Sequence, residues 1–350
     1  MTGNAVNDPA SDENRTLSTS LLQEFESHAV REKTVSLLKN YPPRYRNPFK
    51  KKIYEKAAVK FIPSLDSDEY AVIWRTAYHE QEKCLYHPLP VEKLDWYYRY
   101  DDCCGKDRTV WYVNFADPNL FYAYDSGLFA QDEIQTLEHP LLGSIVQYLD
   151  DMVRKGRRDC LPLTVENHEP TPVLLSNIPY WIRVDTMPRD ENGQRVSIYG
   201  KCFSRAPEDL LDRAITLREN GSGRSNIIAM AALPSGIGEY RLDQIIYSLK
   251  TVISAFQAAR TVSGKPTVIH TGRWGAGAFG GSEEFALLVQ ILGAGIAGIG
   301  KIVFHAVSDD KLAAAEKAAA EAETRNLDTM EALADYIRSK KYRWGFSDGN

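Results

Sequence analysis

The chain has 350 residues, of which 43% are hydrophobic and 25% are charged, and this composition excludes a wholly disordered protein. Its formal net charge of -5 excludes a general attraction to polyanions, so we expect no sequence-specific nucleic-acid binding. No run of about 18 apolar residues occurs and the start of the chain is polar, so we expect an intracellular protein, in nucleus or cytoplasm, without a membrane span.

The N-terminal third predicts helices outside the core. Residues 1–15 are polar and predict a disordered tail. Apolar residues then recur at a helical period from residue 17 to residue 38, and Pro42 stops the pattern. An aromatic-rich stretch follows, so we predict a helical accessory region over residues 16–108. The basic run from Arg44 to Lys52 is typical of a solvated face, with a nuclear import signal or a phosphate-facing patch as alternatives.

The middle of the chain predicts an α/β core over residues 109–308. Strands that alternate with helices indicate a mixed or parallel sheet covered by helices on both faces. Such sheets bind ligands at the carboxyl ends of their strands. Residues 309–350 predict a C-terminal helical appendage. The predicted core strands are 109–115, 171–175, 195–199, 226–230, 267–270 and 301–305, and the predicted core helices begin near 131 and cover 141–154, 206–218, 241–260 and 282–296.

A glycine-rich loop follows the strand that ends at His270. Five glycines and two alanines stand among the twelve residues from Thr271 to Ser282, and they let the backbone come close to a ligand. The following helix presents unpaired N–H groups and a positive dipole end, which suits a pyrophosphate. A tight strand-to-helix connection without a ligand is the alternative. The aromatic residues Trp274 and Phe279 favour a ligand, because their rings offer a face to a sugar or base.

Two adjacent carboxylates, Asp132 and Glu133, stand at the start of a predicted helix. Taken alone, such a pair is typical of helix capping, because acidic groups are stabilised at a helix N-terminus. Glycosidic cleavage, however, needs a carboxyl group that gives a proton to the leaving oxygen and later takes one from water. Burial beside a ligand would raise the pKa of such a group into a useful range.

These two segments together resemble the poly(ADP-ribose) glycohydrolase family. The stretch 271–281, with the helix after it, resembles the diphosphate-binding loop of that family. The stretches 113–117 and 131–134 resemble its Val-Asp-Phe-Ala-Asn strand end and its Gln-Glu-Glu catalytic stretch, with the same spacing between them. The resemblance covers about residues 110–306 and implies a macrodomain-like fold.

The resemblance also implies a role for each matching residue. Glu133 takes the place of the catalytic acid and base, and its neighbour Asp132 that of a contact to the ribose hydroxyls. Asp117 is implied near the distal ribose, Tyr199 against adenine and Phe279 over the ribose. Gln131 belongs to the same catalytic stretch, and the diphosphate would be wrapped by Gly275, Ala276, Gly277, Ala278 and Gly280.

The sequence departs from the family in its first loop. Where the family has three glycines, this chain has Phe121, Tyr122 and Ala123, which take up room and strain a positive φ. Three functions stay open: an ADP-ribose glycohydrolase acting on poly(ADP-ribose) or a smaller conjugate, a macrodomain that binds ADP-ribose without turnover, and an N-glycosidase acting on an NAD-like nucleotide. The expected partner is therefore ADP-ribose or poly(ADP-ribose) on modified proteins.

Metal and cofactor sites are not expected. The five cysteines do not indicate a secreted disulfide framework. His79, Cys84 and His87 lie within nine residues, and Cys103 and Cys104 are neighbours, but a matching second ligand pair for zinc is missing. The implied mechanism needs no metal, so we predict no metal and no cofactor, and we expect a monomer.

Overall fold

A mixed sheet of eight strands runs through the centre of the protein. The computed structural model describes residue 23 and residues 27–100, 107–158 and 161–347, so the predicted tail and the Cys103-Cys104 pair lie outside the described residues. The strands are β1 (Val30–Lys33), β2 (Tyr70–Arg75), β3 (Val91–Leu94), β4 (Thr109–Ala116), β5 (Val165–Glu166), β6 (Glu169–Pro170), β7 (Val173–Pro179), β8 (Ile182–Val184), β9 (Ile215–Leu217), β10 (Arg224–Ala231), β11 (Thr267–Thr271) and β12 (Lys301–His305).

The large sheet has the order β1-β2-β7-β10-β4-β11-β12-β3. The neighbours β10, β4, β11, β12 and β3 are parallel, and β1, β2, β7 and β10 are joined by antiparallel pairs. The central strands are parallel and nearly continuous apolar runs, as expected where both faces of a sheet are covered. The carboxyl ends of β10, β4, β11 and β12 therefore meet at one edge of the sheet.

Helices cover both faces, which confirms the predicted fold class. On β4, Tyr112 belongs to the core on one face, while Trp111 and Val113 belong to the core on the other, because successive side chains of a strand alternate between faces. The helices are α1 (Thr34–Asn40), α2 (Pro48–Phe61), α3 (Gln131–Glu138), α4 (Leu141–Arg154), α5 (Glu208–Ala214), α6 (Leu242–Ser263), α7 (Glu283–Ile296), α8 (Asp309–Thr324) and α9 (Met330–Ser339). No helix among the described residues is long and apolar enough to cross a membrane.

The N-terminal third differs from its prediction as a purely helical layer. Its helices α1 and α2 pack on the core, but β1, β2 and β3 join the large sheet itself. Two of them extend the sheet beyond β7 and the third pairs with β12. The reason is that unpaired backbone groups at the edges of the core sheet need hydrogen-bond partners. The sheet therefore extends beyond the predicted boundary at residue 109.

The predicted strand at 195–199 is wrong. Apart from an isolated bridge between Arg195 and Arg189, this stretch pairs with no strand among the described residues. A turn precedes it, in which the Asp190 side chain accepts hydrogen bonds from the backbone N–H groups of Asn192 and Gln194, at 2.9 and 2.8 Å. After this turn the stretch runs back along the irregular segment 186–189, and the backbone N–H groups of Val196 and Ile198 donate to the carbonyls of Pro188 and Thr186, at 2.9 and 3.1 Å. The stretch therefore forms a loop that leads to Tyr199.

Close packing between α6 and α7 leads to a first prediction. A Cβ added at Gly293 would lie 2.5 Å from Cγ1 of Val252. We expect Gly293→Ala to lower the free energy of unfolding by about 1–3 kcal/mol, because overpacking outweighs the better helix propensity of alanine. Urea denaturation measures the change. In the double variant with Val252→Ala, the two losses should be less than additive, and strict additivity would contradict the steric explanation.

Candidate active site

A cleft of about 1400 Å³ opens where the parallel strands end. Its lining includes Ala116 at the end of β4, Ala232 after β10, Thr271 at the end of β11 and His305 at the end of β12. This is the edge at which sheets of this class bind ligands. The sequence predicted the location, because both candidate segments follow strands that end there.

Glu133 lies in the wall of this cleft, in the first turn of α3. Its side chain is only 3% exposed, and its Oε2 accepts a hydrogen bond of 2.9 Å from the backbone N–H of Ala130. Burial raises the pKa of its carboxyl, and the positive charge of Lys50 acts in the opposite direction. The carboxyl is thus buried, oriented and poised to hold a proton, as a general acid must be.

Asp132 and Gln131 fasten the start of α3 to the end of β4. Asp132 Oδ1 accepts a 3.0 Å hydrogen bond from Nδ2 of the buried Asn114. The Gln131 side chain accepts from the backbone N–H of Phe115 at 2.7 Å and donates to the carbonyl of Val113 at 3.0 Å. Burial, and next the charge of Glu133, raise the pKa of Asp132 well above its usual range. Gln131 lines the cleft, but its amide is engaged with the strand.

Tyr199 and Asp117 also reach the cleft. The Tyr199 hydroxyl accepts a 3.2 Å hydrogen bond from the backbone N–H of Gln131, so this tyrosine touches the N-terminus of α3. The Asp117 carboxylate accepts from the backbone N–H of Asn119 at 2.9 Å. The structure therefore brings both predicted residues to the wall that carries Glu133.

The glycine-rich loop also lines the cleft. Gly275, Gly277, Ala278 and Phe279 line the cleft. The loop is anchored by Trp274, whose indole N–H donates to the carbonyl of Met230 at 3.0 Å. It then enters α7, whose first turn is capped by the Ser282 hydroxyl.

Ala276 and Gly280 do not line the cleft, although the resemblance implied that they hold the diphosphate. Ala276 lies in a turn and donates its backbone N–H to the carbonyl of Arg273 at 3.0 Å. Gly280 has a φ of 67°, and a Cβ there would lie 2.8 Å from the backbone nitrogen of Ser347. Both residues therefore contribute to the conformation of the loop and not to the lining of the cleft. Gly280 packs against the C-terminal segment.

Side-chain charge does not by itself favour an anion in the cleft. Among the described residues, five arginines and five acidic residues line it. Specific binding of a diphosphate would therefore depend on backbone N–H groups of the glycine-rich loop and on the dipole of α7. The same described residues contain no group of three His, Cys, Asp or Glu side chains that could hold a metal ion.

The first loop, residues 117–130, carries the largest departure from the resemblance. Phe121 is fully buried at a φ of 53°, a backbone conformation that costs a non-glycine residue free energy. Tyr122 beside it is 70% exposed and lines the cleft. Phe121 thus anchors the loop in the core. Tyr122 lines the cleft and is largely exposed.

Lys50 contacts the first loop of this site, a role that the sequence did not reveal. The basic run was predicted to be a solvated face, but Lys50 is 0% exposed. Its Nζ donates to the carbonyls of Leu128 and Tyr124 in the first loop, at 2.7 and 3.1 Å. Its neighbours Arg46 and Lys52 form ion pairs with Asp125 and Glu208. Part of the basic run therefore packs against the protein. A sequence signal for the burial of Lys50 was its place in the helix after Pro48, one helical turn before Ile53 and Tyr54.

Comparison with known proteins points to one family. Residues 191–314 match the family model described as poly(ADP-ribose) glycohydrolase (PARG), macro domain fold. The match includes Tyr199, β10, β11, the glycine-rich loop and β12, whereas Glu133 lies before it. No curated protein is significantly similar in sequence.

Solved structures of poly(ADP-ribose) glycohydrolases match most of this chain, with low structural similarity. Poly(ADP-ribose) glycohydrolase from Thermomonospora curvata, bound to the inhibitor ADP-HPD, is 15% identical, with a TM-score of 0.42; the match covers 81% of this chain and 96% of that one. The enzyme from Deinococcus radiodurans, in complex with ADP-ribose, is 14% identical, with a TM-score of 0.38, over 87% and 98% of the two chains. Agreement at this level gives no residue-by-residue correspondence.

Proposed function

Because residues 191–314 match the poly(ADP-ribose) glycohydrolase family model, we propose that the cleft binds an ADP-ribosyl group and that the protein hydrolyses its glycosidic bond. One observation carries this proposal: the buried Glu133 carboxyl lines the same cleft as the glycine-rich loop, which leads into the N-terminus of α7. An acid beside a phosphate-binding turn suits a substrate that joins a ribose to a diphosphate.

In the proposed pose, each part of ADP-ribose contacts a different group of residues that line the cleft. The diphosphate lies against the backbone of Gly275 and Gly277, where N–H groups and the helix dipole favour negative charge. Phe279 covers a ribose, and Tyr199 faces adenine. The distal ribose then reaches the start of α3, where the Asp132 carboxyl binds its hydroxyls. Gln131 supports the pose indirectly, because its amide holds α3 against β4.

The proposed reaction uses one carboxyl group twice. Protonated Glu133 gives its proton to the leaving oxygen while the C1–O bond breaks and an oxocarbenium-like centre forms. Water then attacks C1, and the Glu133 carboxylate takes a proton from it. The products are ADP-ribose and a free hydroxyl on the leaving group. Burial of Glu133 supports the first step, because it favours the protonated form.

Three substrates test the proposal. The purified protein would be incubated with poly(ADP-ribose), with mono-ADP-ribosylated protein and with NAD, and release of ADP-ribose and of nicotinamide would be followed. ADP-ribose released from either of the first two supports the proposal. Nicotinamide released from NAD alone would indicate an N-glycosidase. No release from any substrate at enzyme concentrations equal to substrate would contradict hydrolysis.

A second candidate is an ADP-ribose-binding module without turnover. The observation that favours it is the first loop, in which the exposed Tyr122 lines the cleft. A bulky side chain there leaves less room for a leaving group than glycine would. Tight binding of ADP-ribose by calorimetry, together with no release in the assay above, is the result that this candidate predicts.

The same loop gives a prediction about substrate size. If Tyr122 obstructs a bulky leaving group, Tyr122→Ala should raise kcat/KM on poly(ADP-ribose) several-fold and change it little on mono-ADP-ribosylated protein. The fold should be preserved, because Tyr122 is 70% exposed and substitutions at such surface positions change stability little. Tyr70→Ala, which removes an exposed tyrosine of β2 (43% exposed) outside the cleft lining, is the control. An equal change on both substrates would show that Tyr122 does not select by size.

A further inference from the structure

The N-terminal basic segment is docked on the first loop by several independent contacts. The Arg46 guanidinium forms two hydrogen bonds with the Asp125 carboxylate, of 2.7 and 2.8 Å. The backbone N–H groups of Arg46 and Asn47 both donate to the carbonyl of Asp125 at 2.9 Å. Asn47 then caps α2 by accepting from the backbone N–H of Lys50. These contacts hold the first turn of α2 against the first loop.

Lys50 occupies a position where a cation is costly. Its side chain is fully buried, and its Nζ lies 5.4 Å from the ring centre of Phe129 and 5.7 Å from that of Phe203. Taking an ammonium group out of water costs several kcal/mol unless partners compensate. Two backbone carbonyls compensate in part. An apolar side chain here would leave both carbonyls without this donor, so Lys50 ties the first loop to α2.

One carbonyl that Lys50 binds is close in sequence to the backbone group that binds Glu133. Leu128 is two residues before Ala130, whose backbone N–H binds the Glu133 carboxylate. Between them, the carbonyl of Phe129 accepts a hydrogen bond of 2.8 Å from the backbone N–H of Gly200. The segment 128–130 is thus fixed on both sides, by α2 and by the loop that carries Tyr199. A shift of Leu128 would move the group that orients the acid.

We propose that Lys50 is a positioning residue for Glu133, holding the first loop so that the backbone N–H of Ala130 presents the carboxyl to the substrate. This inference rests on the proposed function, because it assigns Lys50 to the reaction that Glu133 performs.

Lys50 has a second effect, through its charge. Burial lowers the pKa of its ammonium group to about 8, while the carboxylates of Glu133, Asp132 and Asp125 favour its charged form. In return, the charge on Lys50 lowers the pKa of Glu133, against the effect of burial. Removing the charge should therefore raise the pKa of Glu133. Since the first step uses protonated Glu133, the alkaline limb of the pH profile should then move to higher pH.

Two neighbouring lysines of α2 make a matched test. Lys50→Met keeps an unbranched side chain that is one atom shorter and removes its donors and charge, and Lys51→Met does the same at an exposed position. On the substrate that the wild type hydrolyses, we expect kcat of Lys50→Met to fall on the order of 10- to 100-fold, as for a catalytic group displaced by about 1 Å. The Kd for ADP-ribose, measured by calorimetry, should change less than about twofold. Lys51→Met should match the wild type in both.

The pH profile separates positioning from a merely structural role. An upward shift of the alkaline limb in Lys50→Met, with unchanged affinity, supports the inference. A kcat equal to that of Lys51→Met, or a parallel loss of kcat and ADP-ribose affinity, would overturn it. An inactive wild type would instead refute the proposed function, and this inference with it.

A second variant covers the case in which Lys50→Met does not fold. Asp125→Ala removes the anchor of Arg46 at a side chain that is 21% exposed and leaves the core intact. It should lower kcat in the same direction as Lys50→Met, by a smaller factor, and keep the affinity for ADP-ribose. An unchanged kcat in a folded Asp125→Ala protein would count against positioning by this segment.

Discussion

Replacing Glu133 by glutamine is expected to lower the rate of ADP-ribose release by about 10²-fold or more, the usual contribution of a general acid and base. Glutamine has nearly the same shape but cannot give up a proton to the leaving oxygen. Its side-chain oxygen can still accept the hydrogen bond from the backbone N–H of Ala130. The cleft should therefore keep its form, and the Kd for ADP-ribose should stay within about threefold of the wild type.

Glu138 offers a matched control for this substitution. It lies in the same helix and is similarly buried, with 1% exposure, but it does not line the cleft. Its carboxylate accepts a hydrogen bond from the backbone N–H of Val184, which the oxygen of glutamine can also accept. Single-turnover rates of Glu133→Gln, Glu138→Gln and the wild type would be compared. Similar losses in both variants would show that the effect comes from packing in α3 and not from proton transfer.

The pH dependence of the wild type should reflect the same group. Burial raises the pKa of Glu133, so its carboxyl stays protonated to a higher pH than an exposed glutamate does. Because the protonated form starts the reaction, kcat should fall as the pH rises through this raised pKa. The residual activity of Glu133→Gln should lack that limb. A pH profile identical in the two proteins would assign the limb to another group.

The core of the fold could be predicted because its strands have an unambiguous pattern. The runs at 267–271 and 301–305 are short, β-branched and apolar, and burial on both faces of a parallel sheet requires such runs. The stretch at 195–199 was predicted as a strand but forms a loop, because after the turn capped by Asp190 its backbone hydrogen-bonds to the irregular segment 186–189 and not to the sheet. The strands β1 and β3 have four residues each and join the sheet through tertiary pairing, which no local pattern signals.

In the candidate site, too, residues with a local sequence signal could be predicted, and residues defined by distant partners could not. Glu133 and the glycine-rich loop could be found because each has a local signal, a carboxylate pair at a helix start and a dense run of glycines. Asn114 and Lys50 could not be identified as site residues, because their partners are distant in the sequence. Asn114 is 18 residues from Asp132, and Lys50 binds carbonyls 74 and 78 residues away. Burial of a lysine in particular opposes its usual preference for the surface.

Gly275→Ala should greatly weaken ADP-ribose binding, because this position tolerates no side chain. Its φ is 74°, and an added Cβ would lie 2.6 Å from Cβ of Ala232, just after β10. Such a contact forces the loop away from the strand and displaces the backbone N–H groups proposed to bind the diphosphate. We expect the Kd for ADP-ribose, measured by calorimetry, to rise at least about tenfold, which corresponds to about 1.4 kcal/mol.

Gly264→Ala separates this effect from backbone strain alone. Gly264 ends α6 at a φ of 59°, and an added Cβ there meets no atom within 4 Å. Both variants pay the cost of alanine in a left-handed conformation, about 1–2 kcal/mol of stability, but only Gly275→Ala displaces a wall of the cleft. We therefore expect Gly264→Ala to unfold more easily in urea and still bind ADP-ribose with wild-type affinity. If Gly275→Ala also bound with wild-type affinity, the diphosphate could not depend on this loop, and the pose that brings the ribose to Glu133 would have to be abandoned.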